Sequence, residues 1–194
     1  MRVITISREF GAGGRTIAKG LSEKLGIPWY DRDFIKLTAQ SSGYSEDEIQ
    51  KEGEEIGELE HMLEAVLNNV AAYTSSHDAI FKAQKEAMLE LAKEPCIIVG
   101  RCSNIILREA GVETFDIFLF ADEKIRLERA KDIVKDPKTD IKKYVEKRDA
   151  LRANYYKAYT KKEMGKANDF NICIDTGVVD YDTCIDMLCK ILEK

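Results

Sequence analysis

The β-branched run Val3-Ile4-Thr5-Ile6-Ser7 passes without a break into Arg8-Glu9-Phe10-Gly11-Ala12-Gly13-Gly14, and the helical pattern Arg15-Thr16-Ile17-Ala18 follows at once. A strand that empties into a glycine-rich turn and then directly into a helix constrains the fold more tightly than any other part of this chain. Glycines let backbone N–H groups turn inward with no Cβ in the way. The next helix aims its free N–H groups and positive dipole end at the same point. The pattern predicts an anion cradle at the carboxyl end of a first buried strand. A glycine-rich connection without a ligand looks the same when this segment is taken alone.

The usual phosphate-binding loop reads G-x-x-x-x-G-K-[ST], and no lysine stands in this one. Two registers are open. Aligning Gly11-Ala12-Gly13 with the glycine core puts Arg8 in the place of the first glycine and Gly14 in the place of the lysine. Sliding by one makes Gly14-Arg15-Thr16 the counterpart of G-K-T, with Glu9 at the first glycine. The second register keeps a cation at the loop and a hydroxyl at Thr16 for a metal. An arginine there is a bidentate but bulkier phosphate ligand than lysine.

Beyond the loop, short apolar runs alternate with helical stretches. Strands are expected at Val3–Ser7, Pro28–Tyr30, Cys96–Val99, Phe115–Phe120 and Phe170–Ile174, with a closing helix at Asp180–Leu192. Ile17, Leu21 and Leu25 mark the buried face of the first helix, and Gly26 then Pro28 end it. Continuous apolar runs without in–out alternation mark strands buried on both faces, as in a parallel sheet between helix layers. The expected fold is therefore α/β, a three-layer arrangement with a five-stranded parallel sheet. The stretch 45–94 interrupts the alternation with helical spacing only: Ser45-Glu46-Asp47-Glu48 fits a capping box, and Ile56, Leu59, Leu63 and Leu67 follow. It reads as an all-helical insertion over the carboxyl edge of the sheet, where ligands of such folds bind.

Composition narrows the partners. A net charge of −5 over 194 residues argues against a nucleic-acid surface. No apolar run approaches the ~20 residues a bilayer span needs, so a soluble, cytoplasmic chain is expected. The cysteines Cys96, Cys102, Cys173, Cys184 and Cys189 lack C-x-x-C spacing and read as buried thiols. His61 and His77 lie in the helical stretch and read as solvated.

Charged residues fall just past strand ends. Asp31-Arg32-Asp33 follows the second strand and Gly100-Arg101 the third. Asp31 also suits a helix N-cap before Phe34, Ile35 and Leu37. In Lys147–Tyr159, Arg148 and Arg152 sit four apart on one helix face, followed by Tyr155, Tyr156 and Tyr159. Arginines that converge on phosphate oxygens suit phosphoryl transfer, and a solvated basic helix is the plainer alternative for that segment. Arg126 and Arg129 lie after the fourth strand, and Asp136–Asp140 forms a loop where a short lid could sit.

Five segments together resemble the cytidylate kinase-like family, a branch of the P-loop nucleoside-monophosphate kinases. They are I-T-I-S-R-E-F-G-A-G-G-R-T-I-A, I-P-W-Y-D-R-D-F, I-I-V-G-R-C-S-N-I-I-L, F-L-F-A-D-E-K-I-R-L-E-R and K-R-D-A-L-R-A-N-Y-Y-K-A-Y. The resemblance implies one P-loop kinase domain over 1–194, with a core of 1–44 and 95–194, a monophosphate-binding-type insertion at 45–94 and a lid near 131–145. It implies ATP and Mg²⁺ as cofactors, with Arg8, Gly11, Ala12, Gly13, Gly14, Arg15 and Thr16 at the donor phosphates and Thr16 as the metal contact. Asp31, Arg32, Arg101, Arg148 and Asp149 become acceptor contacts, and Arg15, Arg101, Arg148 and Arg152 the catalytic cations. The family's G-R-D segment is Gly100-Arg101-Cys102 here, and its D-S-G turn is absent. The implied activity is transfer of the γ-phosphoryl group to CMP, dCMP or a related small phosphorylated acceptor. Two rivals stand beside it: a nucleotide-binding regulator with a degenerate loop, and a kinase of another small molecule.

Overall fold

A computed structural model of the chain describes residues 3–31 and 70–193. Five strands, β1 (Val3–Arg8), β2 (Trp29–Tyr30), β3 (Ile97–Val99), β4 (Thr114–Phe120) and β5 (Ile172–Asp175), form one sheet in the order β2-β3-β1-β4-β5. Every pairing is parallel; Ile4 faces Ile97 on one side and Phe115 on the other. The helices are α1 (Gly14–Leu25), α2 (Val70–Leu91), α3 (Ser103–Glu109), α4 (Glu123–Ile133), α5 (Ile141–Thr160) and α6 (Tyr181–Leu192).

The strands are buried on both faces, as their unbroken apolar runs require. Ile4, Ile6, Ile97, Val99, Ile117 and Leu119 point to the α1/α6 layer, where Ile17, Leu21, Ile185 and Leu188 meet them. Val3, Cys96 and Ile98 point the other way, onto Met88 of α2, Ile105 and Leu107 of α3, and Tyr155 and Tyr156 of α5. The alternation of two within each strand sorts these side chains between the layers. Helix α1 ends at Gly26, in the left-handed region at φ +66°, whose N–H donates to the Ser22 carbonyl. α1 and α6 approach so closely that a Cβ on Gly20 would lie 2.3 Å from Ile185 Cδ1.

Two expectations shift. The fifth strand starts at Ile172, because Phe170 closes a 3₁₀ turn over Ala167–Asp169 and packs its ring on Phe118 at 5.1 Å. Cys173 is partly exposed, whereas the other four thiols are buried; all five are free. Of the stretch 45–94, residues 70–91 form the single helix α2, and the capping box at Ser45, together with His61, lies outside the described residues. Between α4 and α5 the connection spans 134–140, with Asp140 capping α5 through the Lys143 N–H. No helix among the described residues is long and apolar enough to cross a membrane.

The topology locates a crevice. The chain leaves β1 toward β2 on one side, and leaves β3 toward β4 on the other, so β1 and β3 are neighbours whose exits diverge. Ligands of open parallel sheets bind at the carboxyl ends of such a pair. Away from this edge, Asp116 lies fully buried in mid-β4, where it accepts from the Thr5 hydroxyl at 2.6 Å and from Arg108. Its backbone N–H donates to Asn171 Oδ1.

Losing this carboxylate leaves the Thr5 hydroxyl unpaired in the interior, so Asp116→Ala is expected to lower stability by about 2 kcal/mol, or roughly 4–8 °C in Tm. Asp116→Asn, which keeps an acceptor for Thr5, should lose less. A calorimetric melt of Asp116→Ala that matches the parent protein would show the network to be incidental.

Candidate phosphate-binding site

β1 ends at Arg8, and the turn Glu9–Gly13 delivers the chain to α1. Gly11 and Gly13 both take positive φ, +80° and +83°. Their missing Cβ atoms also make room behind the loop: one on Gly11 would stand 2.6 Å from the Arg126 carbonyl oxygen, and one on Gly13 2.3 Å from the Tyr181 ring. Gly13 is the N-cap of α1 and supplies no side-chain acceptor, and the first turn carries no acidic residue. The N–H groups at the start of α1 therefore face the crevice uncapped, as an anion site requires.

The loop carbonyls are tied down on the opposite side. Arg152 Nη1 donates to the Arg8 carbonyl at 3.3 Å, Arg126 Nη1 to that of Phe10 at 3.1 Å and Arg129 Nη1 to that of Gly11 at 3.4 Å. The Thr176 hydroxyl donates to the Ala12 carbonyl at 3.0 Å. Asp149 accepts from the Phe10 N–H at 2.6 Å with one oxygen and from Arg126 Nη1 at 2.5 Å with the other. Glu9 pairs with Arg126 Nε at 3.1 Å. Burial holds the Glu9 carboxyl above the usual carboxylate range, against the opposing pull of Arg126. Arg129 also donates to Thr176 and lies 4.7 Å from the Tyr181 ring centroid. Sequence reasoning placed Arg126 and Arg129 near a lid and did not see this bracing; nothing local to either residue reveals it.

On the open side, arginines gather. The Arg8 side chain runs over Gly14 and ends against Gly100, with Nη2 3.5 Å from Asp31 Oδ1. Arg15, half-exposed on the outer face of α1, donates through Nε to Asp31 Oδ2 at 2.5 Å. Arg101 lies 5.5 Å from the centroid of the Tyr155 ring, whose hydroxyl donates to the buried Gln84. Arg152 lies 5.4 Å from the Phe10 ring centroid, and Arg148 5.9 Å from that of Tyr144. Burial pushes the Arg8 guanidinium below its ordinary pKa; Asp31 opposes this, while Arg15, Arg101 and Arg148 add to it. Arg152 is lowered to about 9, first by burial and then by Arg8, with Arg148 adding and Asp149 and Asp31 opposing.

Gly100, Arg101 and Cys102 are successive left-handed residues, with φ of +83°, +57° and +57°. Non-glycine residues in that region are strained, and such strain gathers at functional turns. Cys102 follows as the N-cap of α3. Its thiol is buried and held well above the ordinary thiol range, chiefly by desolvation. Among the described residues no cluster of acidic, histidine or cysteine side chains is arranged to hold a metal. Thr16 is exposed on the first turn of α1. Arg8, Gly11 to Thr16, Asp31, Arg101, Arg148 and Arg152 thus share one edge of the sheet, with Asp149 behind the loop. Arg32 lies outside the described residues.

The chain is similar to known proteins over most of its length. The profile of the cytidylate kinase-like family matches residues 3–178. The cytidylate kinase of Archaeoglobus fulgidus is 25% identical over 197 residues, covering 98% of this chain and 94% of that protein. The cytidylate kinase of Methanothrix thermoacetophila is 26% identical over 184 residues, covering 90% and 88%. An uncharacterised protein from Eubacterium ventriosum superposes with a TM-score of 0.71 at 24% identity, covering 100% of this chain and 99% of that one. Shikimate kinase from Bacteroides thetaiotaomicron gives 0.57 at 14% identity, with the same coverage. These superpositions speak to the fold alone, that of the P-loop kinases. With its profile match running from the first strand to just past the last, the chain belongs to the cytidylate kinase-like family and is a phosphotransferase of the P-loop kinase fold.

Proposed function

We propose that this kinase transfers the γ-phosphoryl group of ATP to a nucleoside monophosphate, CMP or dCMP in the first instance. One observation carries the reading: Arg8, Arg15, Arg101, Arg148 and Arg152 influence one another or Asp31 at the mouth of an uncapped helix N-terminus, at the edge where β1 and β3 diverge. Among the described residues, Asp31 opposes Arg8, and Asp149 and Asp31 oppose Arg152. Holding the Arg8 and Arg152 guanidinium groups largely out of water beside like charges is costly, and an anion of several charges offsets that cost. A polyphosphate facing a phosphorylated acceptor does so. The names of the two relatives, both cytidylate kinases, support a cytidine nucleotide as that acceptor.

The donor set fits both groups. The uncapped amides and positive-φ glycines suit the oxygens of a triphosphate. Mg²⁺ commonly takes one or two protein ligands beside phosphate and water, and in the register that aligns Gly14-Arg15-Thr16 with G-K-T the exposed Thr16 hydroxyl is the residue that would reach it. When bound, ATP supplies the phosphoryl group and Mg²⁺ offsets charge on its oxygens. The chain provides no nucleophile and needs none. The loop amides and an arginine of the loop, Arg8 or Arg15 according to register, orient the donor; Arg101, Arg148 and Arg152 orient the acceptor and neutralise charge in the transition state. Asp149 acts as a positioning residue, since both its oxygens hold the loop. The connection at 134–140, with the start of α5, is suited to excluding water as a lid.

A coupled assay with ATP and a panel of nucleoside monophosphates tests the reading, and CMP or dCMP should turn over fastest. Folded protein that phosphorylates no acceptor in the panel would refute it, and nucleotide binding without turnover would favour a regulator. Arg101→Ala should lower kcat/KM by about 100-fold with little change in Tm. Asp149→Ala should raise KM for ATP more than KM for the acceptor and lower Tm by several degrees, because its effect passes through the loop. Equal effects on both KM values would place Asp149 on the acceptor instead.

A further inference from the structure

We infer that Arg8 supplies the cation for the terminal phosphates, from the position where the usual loop has its first glycine and through the space left by the missing side chain at Gly14. The inference rests on the phosphate-loop reading above and deepens it. A Cβ on Gly14 would lie 2.9 Å from Arg8 Cγ and 3.2 Å from Cδ. A Cβ on Gly100 would lie 2.2 Å from Arg8 Nη1. The Arg8 stem therefore crosses the start of α1 where a lysine side chain would otherwise leave the helix. Its head reaches the crevice between the ends of β1 and β3.

Gly14 has no conformational need to be glycine. It is the first helical residue, its φ lies outside the left-handed region, and glycine is a poor helix former. What its position needs is space, and Arg8 fills that space. The two departures from the ordinary loop are thus one exchange: a side chain has moved from the lysine position to the first-glycine position. This selects the register in which Gly14 replaces the lysine. Arg15 then takes the place of the usual Ser/Thr, with Thr16 one residue beyond it, and the Arg15 guanidinium lies on Asp31.

The electrostatics agree. Arg8 is largely buried, with 16% of its side chain exposed, against 51% for Arg15. Among the described residues the carboxylate recorded against Arg8 is Asp31, at a long 3.5 Å, while Arg15 holds the other oxygen of that group much closer. A desolvated guanidinium so weakly matched is poised for phosphate oxygens, which take bidentate arginine contacts.

Titration calorimetry of the whole chain with inorganic tripolyphosphate, and with a non-hydrolysable ATP analogue, tests this. Arg8→Met keeps an apolar stem over Gly14 and removes the charge, and should weaken both probes by about 50-fold. Arg15→Met should lose clearly less. Gly14→Lys alone should bind poorly, because two side chains then compete for one space. The exchange Arg8→Gly with Gly14→Lys should bring both affinities back to within about five-fold of the parent protein, as one charge-assisted contact replaces another. Parent protein that binds both probes while Arg8→Met binds them equally well overturns the assignment alone. So does a larger loss from Arg15→Met than from Arg8→Met. If Arg8→Met does not fold, the exchanged protein decides, and a folded exchange that fails to bind tripolyphosphate overturns the inference. Parent protein that binds neither probe overturns the phosphate-loop reading, and this inference with it.

Discussion

A loop can offer its amides to an anion only if its carbonyls are held elsewhere, and the organisation of this protein follows from that constraint. The carbonyls of Arg8, Phe10, Gly11 and Ala12 each accept a bond from a side chain on α4, α5 or the turn after β5. Three of those donors are arginines, so the bonds are charge-assisted and stronger than neutral ones. Glu9 and Asp149 balance Arg126 and tie the turn to α4 and α5 at once. The site is therefore braced from the helices that close the far side of the sheet, and the glycines serve that bracing as well as the ligand. Gly11 lies against the Arg126 backbone and Gly13 against Tyr181, where any side chain would separate the loop from its supports.

The same bracing sets the electrostatic character of the edge. Burial, and after it the neighbouring Arg8, lowers the affinity of Arg152 for a proton. Such a cluster is tolerable because hydrophobic packing on both faces of the sheet secures the fold, with Ile4, Ile6, Ile17, Leu21 and Leu188 shut off from solvent. Stability is thus concentrated in the layers and charge at the crevice. The strained turn at Gly100–Cys102 fits this division, since it directs Arg101 toward Tyr155 directly after a fully buried strand.

Local signals made the layers legible in the sequence. Cys96–Val99 read as a strand because it is apolar across both faces and Val3–Ser7 because of its β-branched run, and α1 was bounded by a glycine turn before it and Gly26 after it. Phe170 misled because an aromatic beside a strand looks like part of it, while its ring belongs to the contact with Phe118. The glycine loop was legible for the same local reason. Its bracing was not: Phe10 to Asp149 and Ala12 to Thr176 are contacts across more than a hundred residues, and no spacing within either segment encodes them. Arg126 and Arg129 carried no mark that separated them from the exposed cations of α4, Lys124 and Lys131.

The two registers of the loop show why. Along the chain, Arg8 and Arg15 are both candidates, in registers that each depart from the common pattern at more than one position. What separates them is the third dimension, in which β3 brings Gly100 beside β1 and opens a path over Gly14 to the crevice. Arg15 leaves α1 on the outer face and meets Asp31 instead. A motif that specifies residue types at fixed spacing assumes that each side chain departs from its usual backbone position. Once a neighbouring glycine lets a side chain cross, the spacing can change while the charge keeps its place. In this chain the physical requirement is a cation at the end of β1, and the absence of lysine from the loop is compatible with phosphate chemistry for that reason.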